Sequence, residues 1–265
     1  MLFSDVNPIV QSLLGTGLTW LFTAIGAATV FFFKKINQQF LETMLGFAAG
    51  IMIAAAYWSL LAPAISLSEG RWYPPLIGFL MGGLFLRSLD YFVPHHHRGA
   101  KKSEGKKSPW GKNTLLFLAI TLHNIPEGLA VGVGFGAIVA SANPGGATLA
   151  GAIALTAGLA LQDLPEGAAV SIPLHAGGMS RPKSFFWGQF SGMVEPIAAV
   201  IGASLAFYAK PVLPYALAFA AGAMIYVVAE EIIPEAERDK HNHFATVSVL
   251  IGFALMMLLN MVLGG

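Results

Sequence analysis

No cysteine occurs anywhere in the chain, which excludes a disulfide framework, a thiolate metal site and a cysteine nucleophile. Charge is scarce too: acidic and basic side chains together make up 11% of the 265 residues, against about 25% in a typical soluble domain. The formal net charge is only +1, so nothing in the overall balance points to a nucleic-acid partner, and none is expected. Hydrophobic residues reach 55%, and they recur in runs of the roughly 20 residues that a helix needs to cross a bilayer core. The runs are long and do not alternate, which favours helices over barrel strands. The expected fold class is therefore an all-α integral membrane protein, one polytopic domain over residues 1–265 embedded in the lipid bilayer.

Eight transmembrane helices are expected, at about 8–33, 41–66, 74–93, 113–140, 147–174, 184–208, 212–233 and 244–263. Asn7-Pro8 reads as an N-cap followed by proline at the first helical position. The first run has no preceding basic residue and is too long for a signal-peptide core, so it reads as a mature helix. Twelve of the fifteen Lys and Arg residues fall on one side of this scheme, among them Lys34, Lys35, Arg181 and Lys183. Arg71 and Lys210 lie on the other side, and Arg87 lies inside the third span. Under the positive-inside rule the rich side is cytoplasmic, so both termini face away from the cytoplasm. The principal cytoplasmic loop is then 94–112, PHHHRGAKKSEGKKSPWGK, whose Lys, Gly and Ser content predicts poor order.

The carboxylates left inside the spans are Asp90, Glu127, Asp163, Glu166 and Glu195, with Glu230 and Glu231 near the end of the seventh. An unpaired charge at mid-bilayer costs several kcal/mol, and Arg87 is the only basic side chain within the spans. Two of the carboxylates sit in matching turns, HNIPEG at 123–128 and QDLPEG at 162–167. On a helix His123 and Glu127 share a face, as do Gln162 and Glu166, with Asn124 and Asp163 on the same flanks. Each helix thus offers nitrogen and oxygen donors one turn deep. Pro126 and Pro165 lack the N–H that would bond the carbonyls of Leu122 and Leu161, which is expected to loosen both helices and free backbone oxygens. In lipid this is tolerable only where the backbone faces protein or a hydrated path, so the pattern reads as a cation site. The two turns lie near mid-membrane on antiparallel helices, an arrangement shared by transporters with inverted repeats.

Three motifs in order, H-N-x-P-E-G, Q-D-x-P-E-G and G-x-x-E-P (Gly192 to Pro196), resemble the ZIP family of divalent-metal permeases, in its bacterial GufA-like branch. The likeness covers nearly the whole chain. It implies uptake of Zn²⁺, or of a similar ion such as Cd²⁺, Fe²⁺ or Mn²⁺, into the cytoplasm through a two-metal site, in a bacterial inner membrane. One metal would be held by His123, Glu127, Gln162 and Glu166, with Met52 nearby. The other would be held by Asn124, Asp163 and Glu195, with Glu127 and Glu166 bridging. The resemblance also implies an elevator-like shift of spans one, four, five and six against the other four. Many eukaryotic members carry histidine where this chain has Gln162, and an amide binds late first-row metals more weakly than imidazole. Glu127, Glu166, Asp163 and Glu195, if ionised, balance two dications, so metal loading is expected to release protons and weaken as pH falls.

Other readings stay open on the sequence. A Pro-Glu-Gly turn alone can be a kink with a snorkelling glutamate, although two aligned copies argue against it. Asp90 can sit at the interface or pair with Arg87, and Met52 can be core filler. His95, His96 and His97 read as a solvated run or a metal-holding one. Glu230, Glu231, Glu235, His241 and His243 read as a wet cytoplasmic acidic loop or an exit site. Gly78, Gly82 and Gly83 suit internal packing or a homodimer face equally. The chain is expected not to be an enzyme, because no H-E-x-x-H helix is present and the site is ligated throughout by side chains, whereas catalytic zinc keeps an open position. An intramembrane metal-dependent enzyme is the alternative. A carrier of organic solutes accounts for the carboxylates but not for the His, Asn and Gln beside them.

Overall fold

A computed structural model describes residues 5–33, 37–92, 112–140, 148–237 and 243–263. These fall into eight helical rods. They are α1 (Pro8–Ala28) with a terminal 3₁₀ turn (Thr29–Phe31); α2 (Gln38–Ala55), which passes through a π turn (Ala56–Leu61) into α3 (Ala62–Leu67); and α4 (Tyr73–Phe92). Then come α5 (Lys112–Ala140), α6 (Leu149–Ala176), and α7 (Arg181–Phe190), which runs through a 3₁₀ turn (Ser191–Met193) into α8 (Val194–Tyr208). Last are α9 (Leu213–Val227), leading through a second π turn (Val228–Ile232) into α10 (Ile233–Ala236), and α11 (His243–Leu263). Each expected span coincides with one rod, with ends shifted by a few residues. The expected loop 94–112, with His95, His96 and His97, lies outside the described residues apart from Lys112, which opens α5.

Five rods, Pro8–Phe31, Gln38–Leu67, Arg181–Tyr208, Leu213–Ala236 and His243–Leu263, are long and apolar enough to cross a membrane. The protein is an all-α, multi-pass membrane protein. The other three rods are those interrupted by Arg87 and Asp90, by the HNIPEG turn and by the QDLPEG turn.

Local chemistry explains the ends and the irregular turns. Asn7 caps α1, its side-chain oxygen accepting from Ile9 N at 2.9 Å, with Pro8 in the first turn. Both π turns lead into a proline, Pro63 or Pro234, and each closes with a five-residue bond, Ala62 N to Tyr57 O and Ile233 N to Val228 O. Proline cannot make the ordinary four-residue bond, and a widened turn absorbs the defect. By contrast α5 and α6 run unbroken through Pro126 and Pro165. The expected loosening does not interrupt either helix, because packed neighbours hold a helix across one missing bond.

The most extensive pairings are α1 with α6, α5 with α8, α2 with α11 and α4 with α9. In every pair, glycines on both helices admit the partner's backbone. Gly26 meets the Leu164 carbonyl while Gly167 meets that of Thr23, and Gly128 meets the Glu195 carbonyl while Gly202 meets that of Leu129. Gly50 with Gly252 and Gly82 with Gly222 repeat the arrangement in the other two pairs. A Cβ at these positions would overlap a facing carbonyl, the close approach that small residues permit between membrane helices. Gly78 and Gly82 both face α9, so they serve internal packing.

α1, α5, α6 and the α7–α8 rod form one group, while α2–α3, α4, α9–α10 and α11 form the other. An apolar core that includes Ile51, Met52, Phe135, Leu159, Leu217 and Met224 lies where they meet. α1 is built the opposite way to a helix of a soluble protein. It exposes Leu14, Leu18, Leu21 and Ile25 and buries Gln11, Ser12, Thr16, Thr19 and Thr23, as a polar stripe within a membrane protein must.

Candidate metal site

Every donor singled out in the two turns is buried: His123, Asn124 and Glu127 on α5, and Gln162, Asp163 and Glu166 on α6. Glu195, in the first turn of α8, is fully buried as well. Helical periodicity sets each trio on one side of its own helix, and the packing of α5 on α6 turns the two sides together. Carboxylate oxygens of Glu127, Asp163 and Glu166 lie within 4.8 Å of one another, close enough to share an ion.

Hydrogen bonding around this cluster is one-sided. Both oxygens of Glu127 and Glu166, and single oxygens of Asn124, Gln162, Asp163 and Glu195, are buried without a partner. Oxygen atoms gathered in this way require a cation, protons or water, since each unsatisfied buried group costs about 1–3 kcal/mol or more. Two of the nitrogens, on Asn124 and His123, are occupied by groups outside the two turns. Asn124 donates Nδ2 to the Ser191 carbonyl at 2.9 Å, which ties α5 to the 3₁₀ turn ahead of Glu195. Gln162 Nε2 stands 3.5 Å from Asp163 Oδ1, long for a hydrogen bond.

His123 also reaches beyond its own helix. Its Nε2 donates to Glu231 Oε1 at 2.6 Å, a contact that joins α5 to the π turn following α9. The sequence leaves Glu231 near the end of the seventh span, in a wet acidic loop or an exit site. The π turn holds it against a buried histidine, with only 15% of its side chain exposed. Glu230 and Glu235 are partly exposed beside it, His243 is exposed, and His241 lies outside the described residues. Met52 is fully buried within the apolar core. The Arg87 side chain is exposed, and the side chain of Asp90 lies outside the description.

Thr19 of α1 is the residue that sequence reasoning missed. Its hydroxyl reaches Glu195 Oε2. A signal was available, because Ser12, Thr16, Thr19 and Thr23 recur at helical spacing in an otherwise greasy run.

A comparison with known families matches residues 110–260, which span the two turns and Glu195, to the family described as ZIP Zinc transporter. Whole-chain similarity extends further. The chain is 40% identical to "Zinc transporter ZIP11" of Xenopus tropicalis, covering 97% of this chain and 98% of the relative. It is 36% identical to "Zinc transporter GufA" of Myxococcus xanthus, over 91% and 94% of the two chains. With "Zinc transporter ZIPB" of Bordetella bronchiseptica the identity is 35%, over 96% and 81%. With buried carboxylates on two antiparallel glycine-packed helices and likeness along nearly its full length, the chain belongs to the ZIP family.

Proposed function

We propose that this protein carries divalent transition-metal ions, Zn²⁺ foremost and also Cd²⁺, Fe²⁺ or Mn²⁺, into the cytoplasm through a mid-membrane site for two ions. The observation that carries the reading is the set of unpartnered buried oxygens on Glu127, Glu166, Asp163, Asn124, Gln162 and Glu195. Structural carboxylates are paired when buried, whereas a site for passing cations has to leave its oxygens open.

In this reading Glu127 and Glu166 bridge two positions. The first adds His123 and Gln162, with Met52 as a soft donor in the adjoining core, and the second adds Asn124, Asp163 and Glu195. Four carboxylates balance two dications, so the loaded site is neutral, and loading displaces protons, which makes binding weaker at lower pH. All eight rods span the bilayer, with both termini outside the cytoplasm and the chain in a bacterial inner membrane. Exchanging rods one with six, two with seven, three with eight and four with five maps the four glycine pairings onto one another, which supports an inverted repeat. Transport proceeds by an elevator-type movement of the group α1, α5, α6 and α7–α8 against the other rods. The site ions lie on that group, with α9–α10 of the other group contributing Glu231 at its edge.

Reconstitution into liposomes tests the reading. Uptake of Zn²⁺, Cd²⁺, Fe²⁺ and Mn²⁺ over Mg²⁺, with bound metal in the purified protein, is the expected outcome. Bound metal without flux would indicate an enzyme instead, and neither metal nor flux would indicate a carrier of other solutes.

A further inference from the structure

We infer that Thr19 is the positioning residue for the second metal position: its hydroxyl holds one oxygen of Glu195 so that the other is presented to the ion. This rests on the two-ion reading above. Glu195 is fixed from two sides. At the backbone, Gly128 of α5 lets the Glu195 carbonyl and Cα approach closely, where any Cβ would collide with them. The first turn of α8 is therefore held closely against α5.

The side chain is fixed by one hydroxyl. Thr19 Oγ1 lies 3.1 Å from the Thr16 carbonyl and closer still to Glu195 Oε2. A hydroxyl has a single proton, and the two candidate acceptors are a neutral carbonyl already within a helix and a buried carboxylate. With an ion bound Glu195 is ionised, and a charged acceptor makes the stronger bond, so in the loaded site the hydroxyl proton goes to Glu195. Both side chains are fully buried, so bulk solvent does not reach the bond. Oε2 is thereby committed and Oε1 is left without a partner. The free oxygen is the one the ion receives.

The neighbouring hydroxyls do not share this role. Ser12 donates to Ile9 O, Thr16 to Ser12 O and Thr23 to Thr19 O, all within α1 itself. Thr19 alone among them bonds a group on another helix in the described structure. Partners that orient a metal ligand typically contribute 10–100-fold in affinity.

The test is calorimetric titration of the purified protein with Zn²⁺ alone, for wild type, Thr19→Val, Thr19→Ser and Thr23→Val. Valine keeps the shape and removes the donor, while serine keeps the donor. Thr19→Val is expected to retain the first ion and to weaken the second by about 10–100-fold, Thr19→Ser to restore it, and Thr23→Val to bind as wild type does. Two undiminished ions in Thr19→Val would overturn the inference, as would an equal loss in Thr23→Val or no recovery in Thr19→Ser. Adding Thr19→Val to Glu195→Ala removes both partners together, which spares the fold an unpaired buried charge. That double variant is expected to bind as Glu195→Ala alone does, and a further loss would mean that Thr19 acts through something other than Glu195. A wild type that binds no metal would instead overturn the two-ion reading, and this inference with it.

Discussion

The two donor helices carry nearly the same turn and use it differently. On α5, the nitrogen donors are already engaged: His123 reaches across to Glu231 and Asn124 to the Ser191 carbonyl. On α6, both oxygens of Glu166 and the outer oxygens of Gln162 and Asp163 have no partner. An ion arriving at the α6 half meets open ligands, whereas at the α5 half it must compete for the histidine. The α5 half is also the one tied to its surroundings. His123–Glu231 connects the proposed moving group to the other rods, and Asn124 connects α5 to the turn that delivers Glu195. Both halves thus present open oxygens, Glu127 and Asn124 on α5 as well as Glu166, Gln162 and Asp163 on α6, and they differ in that the α5 nitrogens are held in bonds to other elements.

The bridging carboxylates belong to both halves, so removing one erases the comparison. Glu127→Ala or Glu166→Ala should each lower Zn²⁺ uptake in liposomes by at least about 100-fold, at equal protein content, with loss of bound metal. Near-normal flux in either would remove the residue from the site.

Glu231→Met sharpens the contrast by removing the acceptor that holds His123. A hydrogen bond to a charged group contributes roughly 1.5–3 kcal/mol, so relieving the competition should tighten Zn²⁺ binding by about tenfold or more, while the same change in a His123→Ala background should have no effect. Tightening that persists without the histidine would mean that Glu231 acts by its charge alone. A smaller effect is expected from Gln162→His, which gives the α6 half an imidazole of its own. Preference for Zn²⁺ over Mg²⁺ in equilibrium binding should rise by a few fold, in keeping with the softer donor. An unchanged ratio would show that the α6 amide is not a ligand.

How far the sequence foretold these features depends on whether they are local to one helix. Composition and run length place all eight rods, and a spacing of three and four residues places His123, Asn124 and Glu127 on one side of α5. Such periodicity cannot say which neighbour a side faces. Glu231 reads from the sequence as part of a wet loop or an exit site because, counted along a regular helix, it falls near the end of its span; the π turn ahead of Pro234 sets it beside His123. Thr19 was hidden for a related reason, since its partner stands 176 residues away. Pro126 shows the same limit: the missing donor is legible in the sequence, but the packing that keeps α5 continuous across it is not.

We propose further that the two ion positions are unequal, the one with Gln162 and His123 serving transport and the one with Asp163 and Glu195 assisting it. The most direct measurement is metal stoichiometry together with Zn²⁺ flux in Asp163→Ala/Glu195→Ala against His123→Ala/Gln162→Ala. The first pair leaves Glu127, Glu166, His123 and Gln162, two charges and four donors for one dication. It is predicted to bind one ion and still transport, while the second pair loses most of its preference for Zn²⁺ over Mg²⁺. A first pair without flux beside an active second pair would contradict the account and make the position held by Glu195 the transport site.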